Sequence, residues 1–194
     1  MRQALVQVQY QVPRMIPPPN IMSHFSFGFS EVLADKYWID SIQYFDRPQY
    51  RLINKTSQVS ELYSLLDLIT EFSPRFQIVY SGGGTALSVL ANDVVGAGLI
   101  FEKGMKQFPK DWKLTYRAAY HALYEQNDRD KAASLFLKTA QLGGPAWAYA
   151  LSGRLYTEEG KYDVGQKILA ELENDPEMKL FADRLRQKLQ SVKK

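Results

Sequence analysis

The chain contains no cysteine, so disulfides, thiolate metal ligands and thiol nucleophiles are all excluded. Histidine is nearly absent as well. His24 and His121 stand far apart in sequence, and neither has carboxylates at a ligand-like spacing, so no metal centre or histidine base is expected. No apolar run approaches the roughly 20 residues that cross a bilayer, and Met1 to Val12 lacks the apolar core of a signal peptide. The chain as given therefore reads as soluble. Its composition leaves the location open between cytoplasmic and, if an anchor preceded Met1, membrane-associated or periplasmic. An excess of one charge is missing too: 24 basic against 21 acidic residues leave +3, which gives no nucleic-acid or anionic surface partner by charge alone.

Catalytic signatures are equally scarce. Ser81 to Thr85, SGGGT, is the one stretch resembling a phosphate cradle, but it lacks a preceding strand and a Gly-Lys-Ser/Thr ending. Successive small residues there read as positions where helices approach closely, at some cost in helix propensity. No serine has a histidine and an acid at a recognisable spacing. The expectation is a protein without enzymatic activity and without a cofactor or metal. Trp112 and Trp147 open successive helices and read as packing residues rather than as platforms for bases.

What the sequence does have is a repeat. Within Val94 to Pro109, Ala97, Phe101, Gly104 and Pro109 map thirty-six residues on to Ala133, Leu137, Ala140 and Pro145. Small residues seven apart share one helical face with the large side chain between them, so a neighbouring helix can come close on either side. The helix before it keeps the same offset: Phe76 matches Trp112, Ile78 Leu114, Tyr80 Tyr116, Gly82 Ala118 and Ala86 Ala122. Asp93 and Asp111 stand where a carboxylate can cap the following helix. A period in the mid-thirties predicts stacked helix pairs at about 75–109 and 110–145, with a shorter third unit at 146–176.

The flanking segments differ in kind. Ala4 to Val12 alternates apolar residues with Gln7, Gln9 and Gln11, which is a strand pattern. Pro13 to Pro19 reads as a semi-rigid linker, so residues 1–20 form an extended segment apart from a helical domain over 21–194. A helix from Ser23 to about Phe45, capped by Ser23 or Ser30, places Phe29, Val32, Leu33, Trp38, Ile39, Ile42 and Phe45 near one face. Leu62 to Ile69 forms the next helix. At the far end, 177–191 carries Leu180, Phe181, Leu185 and Leu189 on one side and charges opposite, as a capping helix should.

Tyr149 to Tyr156, YALSGRLY, and Gly165 to Pro176 resemble the tetratricopeptide repeat, with departures at Thr115 and Ala119 in the middle unit. The resemblance covers about 58–176. More weakly, SFGFSEVLADKYWIDSIQYF is similar to bacterial tetratricopeptide proteins that often carry an upstream membrane anchor. The family implies an all-α, right-handed solenoid of antiparallel helix pairs whose first helices line a concave, protein-binding groove. On that alignment Tyr80, Tyr116, Arg117, Tyr120, Leu123 and Arg154 fall on or near the groove wall. The expected function is an adaptor binding a partner's peptide or helix. The alternative is a self-assembling module that forms a homodimer through the strand at 4–12.

Overall fold

A computed structural model describes residues 26–45, 51 and 58–192. The strand and linker expected before residue 20, His24 and most of the loop at 46–57 lie outside them. Every element among the described residues is helical. These are α1 (Ser30–Tyr44), α2 (Glu61–Phe72), α3 (Gly84–Val89, entered through a π-helical turn Val79–Gly83), α4 (Val94–Gln107), α5 (Trp112–Tyr124), α6 (Arg129–Gln141), α7 (Ala146–Glu158), α8 (Tyr162–Glu173) and α9 (Lys179–Val192).

Side-chain caps set four of the starts. Ser60 Oγ accepts from the Tyr63 amide at 3.1 Å, Asp93 Oδ1 from Gly96 at 2.7 Å, Asp111 Oδ1 from Lys113 at 2.9 Å, and Asp128 Oδ1 from Lys131 at 2.9 Å. Each satisfies an amide that the first helical turn leaves without a partner. The first helix departs from expectation. It opens at Ser30, with no side-chain cap, after a turn in which Phe27 and Gly28 both have positive φ.

Consecutive helices pack together, and alternate helices form two rows. In one row, Lys103 on α4 reaches Asp67 and Glu71 on α2 at 2.7 and 2.5 Å. Lys131 on α6 reaches Glu102 on α4, and Lys161 at the start of α8 reaches Asp130 on α6, both at 2.8 Å. Partly exposed ion pairs of this kind contribute little stability. In the other row, Gln77 before α3 donates to Asp111 before α5, Tyr116 on α5 meets Trp147 on α7 at 5.5 Å between centroids, and Gly153 on α7 lies against Leu185 on α9.

The SGGGT stretch is a packing device. A Cβ on Gly82 would meet Ile78 and Trp38, one on Gly83 would lie 3.1 Å from Leu66 Cδ1, and one on Gly84 2.8 Å from Phe101 Cε1. Three consecutive glycines thus admit side chains from α1, α2 and α4 around a single turn.

Three local assignments change. Leu33, Trp38 and Phe45 pack inward from α1, whereas Phe29, Val32, Ile39 and Ile42 are exposed, so the helix has two apolar faces instead of one. In α6 the fully buried large residue is Phe136, and Leu137 instead packs against the apolar cluster of Ile168, Leu172, Ala182, Leu185 and Leu189. Leu180 is exposed, and α9 caps the end through Ala182, Leu185 and Leu189.

Candidate functional site

Between α3 and α5 lies an open cleft of about 330 Å³. Thr85, Ser88 and Val89 form one wall, Phe101 of α4 lies at its base, and Tyr116, Arg117, Tyr120, His121, Tyr124 and Glu125 form the other. The tyrosines recur at every fourth residue, so they rise along one stripe of α5. Tyr116 and Tyr120 meet edge to face at 4.8 Å, and Tyr120 and Tyr124 stack at 5.4 Å. Tyr116 is held further by Phe136 and Trp147, and Tyr124 is left 65% exposed at the rim. The Tyr116 hydroxyl first, and burial second, push the Tyr120 hydroxyl above its usual range.

The two charges of the cleft have no countercharge among the described residues. Arg117 is exposed, and its guanidinium donates to Thr85 Oγ1 at 3.3 Å. Among the described residues no carboxylate lies within ion-pair distance of Arg117 and no cation within that distance of Glu125. They are eight residues apart, which is about 12 Å along a helix.

His121 sits beneath them, buried and held at both nitrogens. Nδ1 lies 3.0 Å from Ser88 Oγ and Nε2 lies 3.0 Å from the Val94 carbonyl oxygen. Because a carbonyl only accepts, Nε2 bears the proton and Nδ1 accepts from the serine hydroxyl. Burial pushes the imidazole below its ordinary value of 6.5. The opposing influences, the Val94 bond and Glu125, are weaker. Ser88 is therefore polarised toward an imidazole. The Leu90 and Ala91 amides after it both donate to Ala86, so neither is free to receive an oxyanion. The three groups form a buried clamp joining α3, α4 and α5.

That clamp titrates. An unfolded histidine binds its proton near pH 6.5, while the native ring, shifted down, does so only at lower pH. The unfolded chain thus holds more protons between those values, and stability present above about pH 6.5 is lost as pH falls toward the native pKa. Thermal unfolding of wild type and His121→Asn from about pH 7.5 to about pH 5.5 should show the steeper decline in wild type. Parallel declines would contradict the clamp.

Of the expected groove residues, the fold brings Tyr116, Arg117 and Tyr120 together at this cleft. Tyr80 is a correction. It is 1% exposed, its hydroxyl donates to the Pro74 carbonyl at 3.0 Å, and its ring packs on Phe108, so it belongs to the core. Leu123 packs, half-buried, against the core around Ala119, Ala122, Phe136 and Leu155, and Arg154 lies 3.7 Å from Glu158, away from the cleft. Sequence reasoning missed Val89, Tyr124 and Glu125, although the four-residue spacing of the tyrosines was a signal for Tyr124. Among the described residues no group of three metal-binding side chains gathers, and no helix is long and apolar enough to cross a membrane. No family model and no curated protein matches this chain.

Proposed function

We propose that the chain is a non-enzymatic adaptor of the tetratricopeptide type, a right-handed solenoid of antiparallel helix pairs. Its α3–α5 cleft holds a short amphipathic segment of a partner protein. The stacking is supported by the thirty-six-residue offset and by the two rows into which alternate helices fall. The observation that carries the binding reading is the aromatic stripe of α5 between two charges, Arg117 and Glu125, that have no countercharge among the described residues. Tyrosine and arginine recur at binding hot spots because they combine area with hydrogen bonding. A fitting segment presents a carboxylate to Arg117, apolar side chains to the tyrosines and Val89, and a cation to Glu125, with about 12 Å between its charges.

Peptide display against the full chain should enrich segments with that order of charge and apolar residues. Arg117→Ala and Tyr120→Ala should each weaken a selected peptide by about tenfold or more, measured by fluorescence anisotropy. Unchanged affinity in both variants would remove the cleft from the account.

A further inference from the structure

A second concavity lies where α6 ends, α7 begins and the chain turns from α8 toward α9. It is a cavity of about 330 Å³ that shares no residue with the α3–α5 cleft. Ala140, Leu172 and Met178 line it with apolar surface, Tyr149 of α7 adds an aromatic ring, and Glu171 and Asp175 add two carboxylates. Neither carboxylate has a countercharge within ion-pair distance among the described residues. Lys179 and Arg186 line a separate hollow of the same turn, and Arg186 is spent on Glu173 at 2.7 Å and Asp183 at 2.6 Å. Both carboxylates are nevertheless fixed in place. The Tyr149 hydroxyl donates to Glu171 Oε2, and Asp175 Oδ1 accepts from the Glu177 amide at 2.9 Å, capping the 3₁₀ turn Pro176–Met178. Glu171 Oε1 and Asp175 Oδ2 are left without a hydrogen-bond partner among the described residues.

Two like charges beside an apolar wall repel each other, and a cation between them is attracted by both. The donor set does not suit a metal ion, since no group of three metal-binding side chains gathers among the described residues. A long basic side chain fits better, because its alkyl stem covers apolar surface while its charged end meets the carboxylates. Of the two candidates arginine matches more of the cavity. Its planar fork donates to two oxygens at once and its face stacks on an aromatic ring, whereas lysine offers a single hydrated point charge. Glu173 and Glu177, both exposed, stand next in sequence and add negative charge around the mouth. A free amino acid would bring its own carboxylate into that field, whereas an arginine within a polypeptide has none. We propose that the cavity docks an arginine side chain of a partner protein. Its guanidinium donates to Glu171 and Asp175 and its face lies against Tyr149.

Blocked single residues serve as probes. In ¹⁵N spectra of the full chain, N-acetyl-arginine N-methylamide should shift the amides of Ala140 to Tyr149 and Glu171 to Met178 and leave those of Thr85 to Val89 in place. One residue alone binds in the millimolar range, so a peptide held in the α3–α5 cleft at lower concentration leaves this cavity free. The lysine counterpart should bind at least about threefold more weakly. The citrulline counterpart, which keeps the shape and loses the charge, should bind at least about tenfold more weakly. Free L-arginine should also bind more weakly than the blocked residue. Glu171→Gln and Asp175→Asn keep an acceptor for the Tyr149 hydroxyl and the Glu177 amide, so each should leave the fold intact and weaken the arginine probe about three- to fivefold. Citrulline as good as arginine would overturn the role of charge, lysine as good as arginine the choice of side chain, and free arginine as good as the blocked residue the assignment to a protein partner. An arginine probe that leaves these amides unshifted, or binds both variants as well as wild type, would overturn the site.

Discussion

Asp93→Ala is expected to lower unfolding stability by about 2–4 kcal/mol, the sum of a lost cap and a buried amide left without an acceptor. The carboxylate is 1% exposed and serves two helices. Oδ1 accepts from the Gly96 amide at 2.7 Å, and Oδ2 accepts from the Ser60 amide at 2.6 Å, thirty-three residues away. Ser60 in turn caps α2, so one side chain ties the starts of α2 and α4 together. Alanine removes both acceptors and leaves the Ser60 amide buried without a partner. Asparagine keeps one acceptor and turns an NH₂ toward the other amide, so Asp93→Asn should lose about half as much. Urea unfolding followed by circular dichroism reads both. A loss confined to a few tenths of a kcal/mol would mean that water replaces the carboxylate.

The second large effect separates two glycines on one helix. A Cβ on Gly104 would lie 2.6 Å from Tyr80 Cβ and 2.9 Å from Leu114 Cδ2. Tyr80 cannot retreat, because its hydroxyl is bonded to Pro74 and its ring is edged by Phe108. Gly104→Ala gains about 1 kcal/mol of helix propensity against an overpacking cost of about 1–3 kcal/mol, and a net loss is expected. Gly104→Val, with two further methyl groups and a stiff χ1, should lose more than 3 kcal/mol, at the upper end of overpacking costs. Gly98 differs in kind. Its Cβ would crowd Gln126 Nε2 at 2.7 Å, the far end of a flexible side chain, and touch His121 Nε2 at an ordinary 3.7 Å, so Gly98→Ala should be neutral or stabilising by up to about 1 kcal/mol. Equal losses at Gly98 and Gly104 would contradict this reading of where the helices touch.

These sites also show how far sequence reasoning reached. The small–large–small pattern around Phe101 was legible because helical geometry fixes which residues share a face, and Asp93 and Asp111 because caps are local. Tyr80 was not. Its burial depends on Gly104, which comes from another helix to receive the ring, and no periodicity within its own helix reports that. The π-helical turn at Val79–Gly83 also shifts the face presented after it, so the pairing of Tyr80 with Tyr116 does not carry over into equivalent surroundings. On α1 the apolar residues were legible but their two opposite faces were not, since apolar character alone does not say which stripe meets α2. For the candidate site, residue type pointed to Tyr116, Arg117 and Tyr120. The opposing wall, Thr85 to Val89, comes from a helix thirty residues earlier and becomes part of the site only when α3 and α5 are brought together.

The most direct measurement is where a selected peptide sits. Titrated into uniformly ¹⁵N-labelled full chain, a peptide with one acidic and one basic residue flanking apolar side chains should shift amide resonances of Thr85 to Val89 and Tyr116 to Glu125, while those of α2, α6 and α8 stay in place. In Arg117→Glu/Glu125→Arg the same peptide should bind weakly and its charge-reversed counterpart tightly. Shifts centred on the α2, α4, α6 and α8 row, or binding indifferent to the exchange of Arg117 and Glu125, would contradict the account.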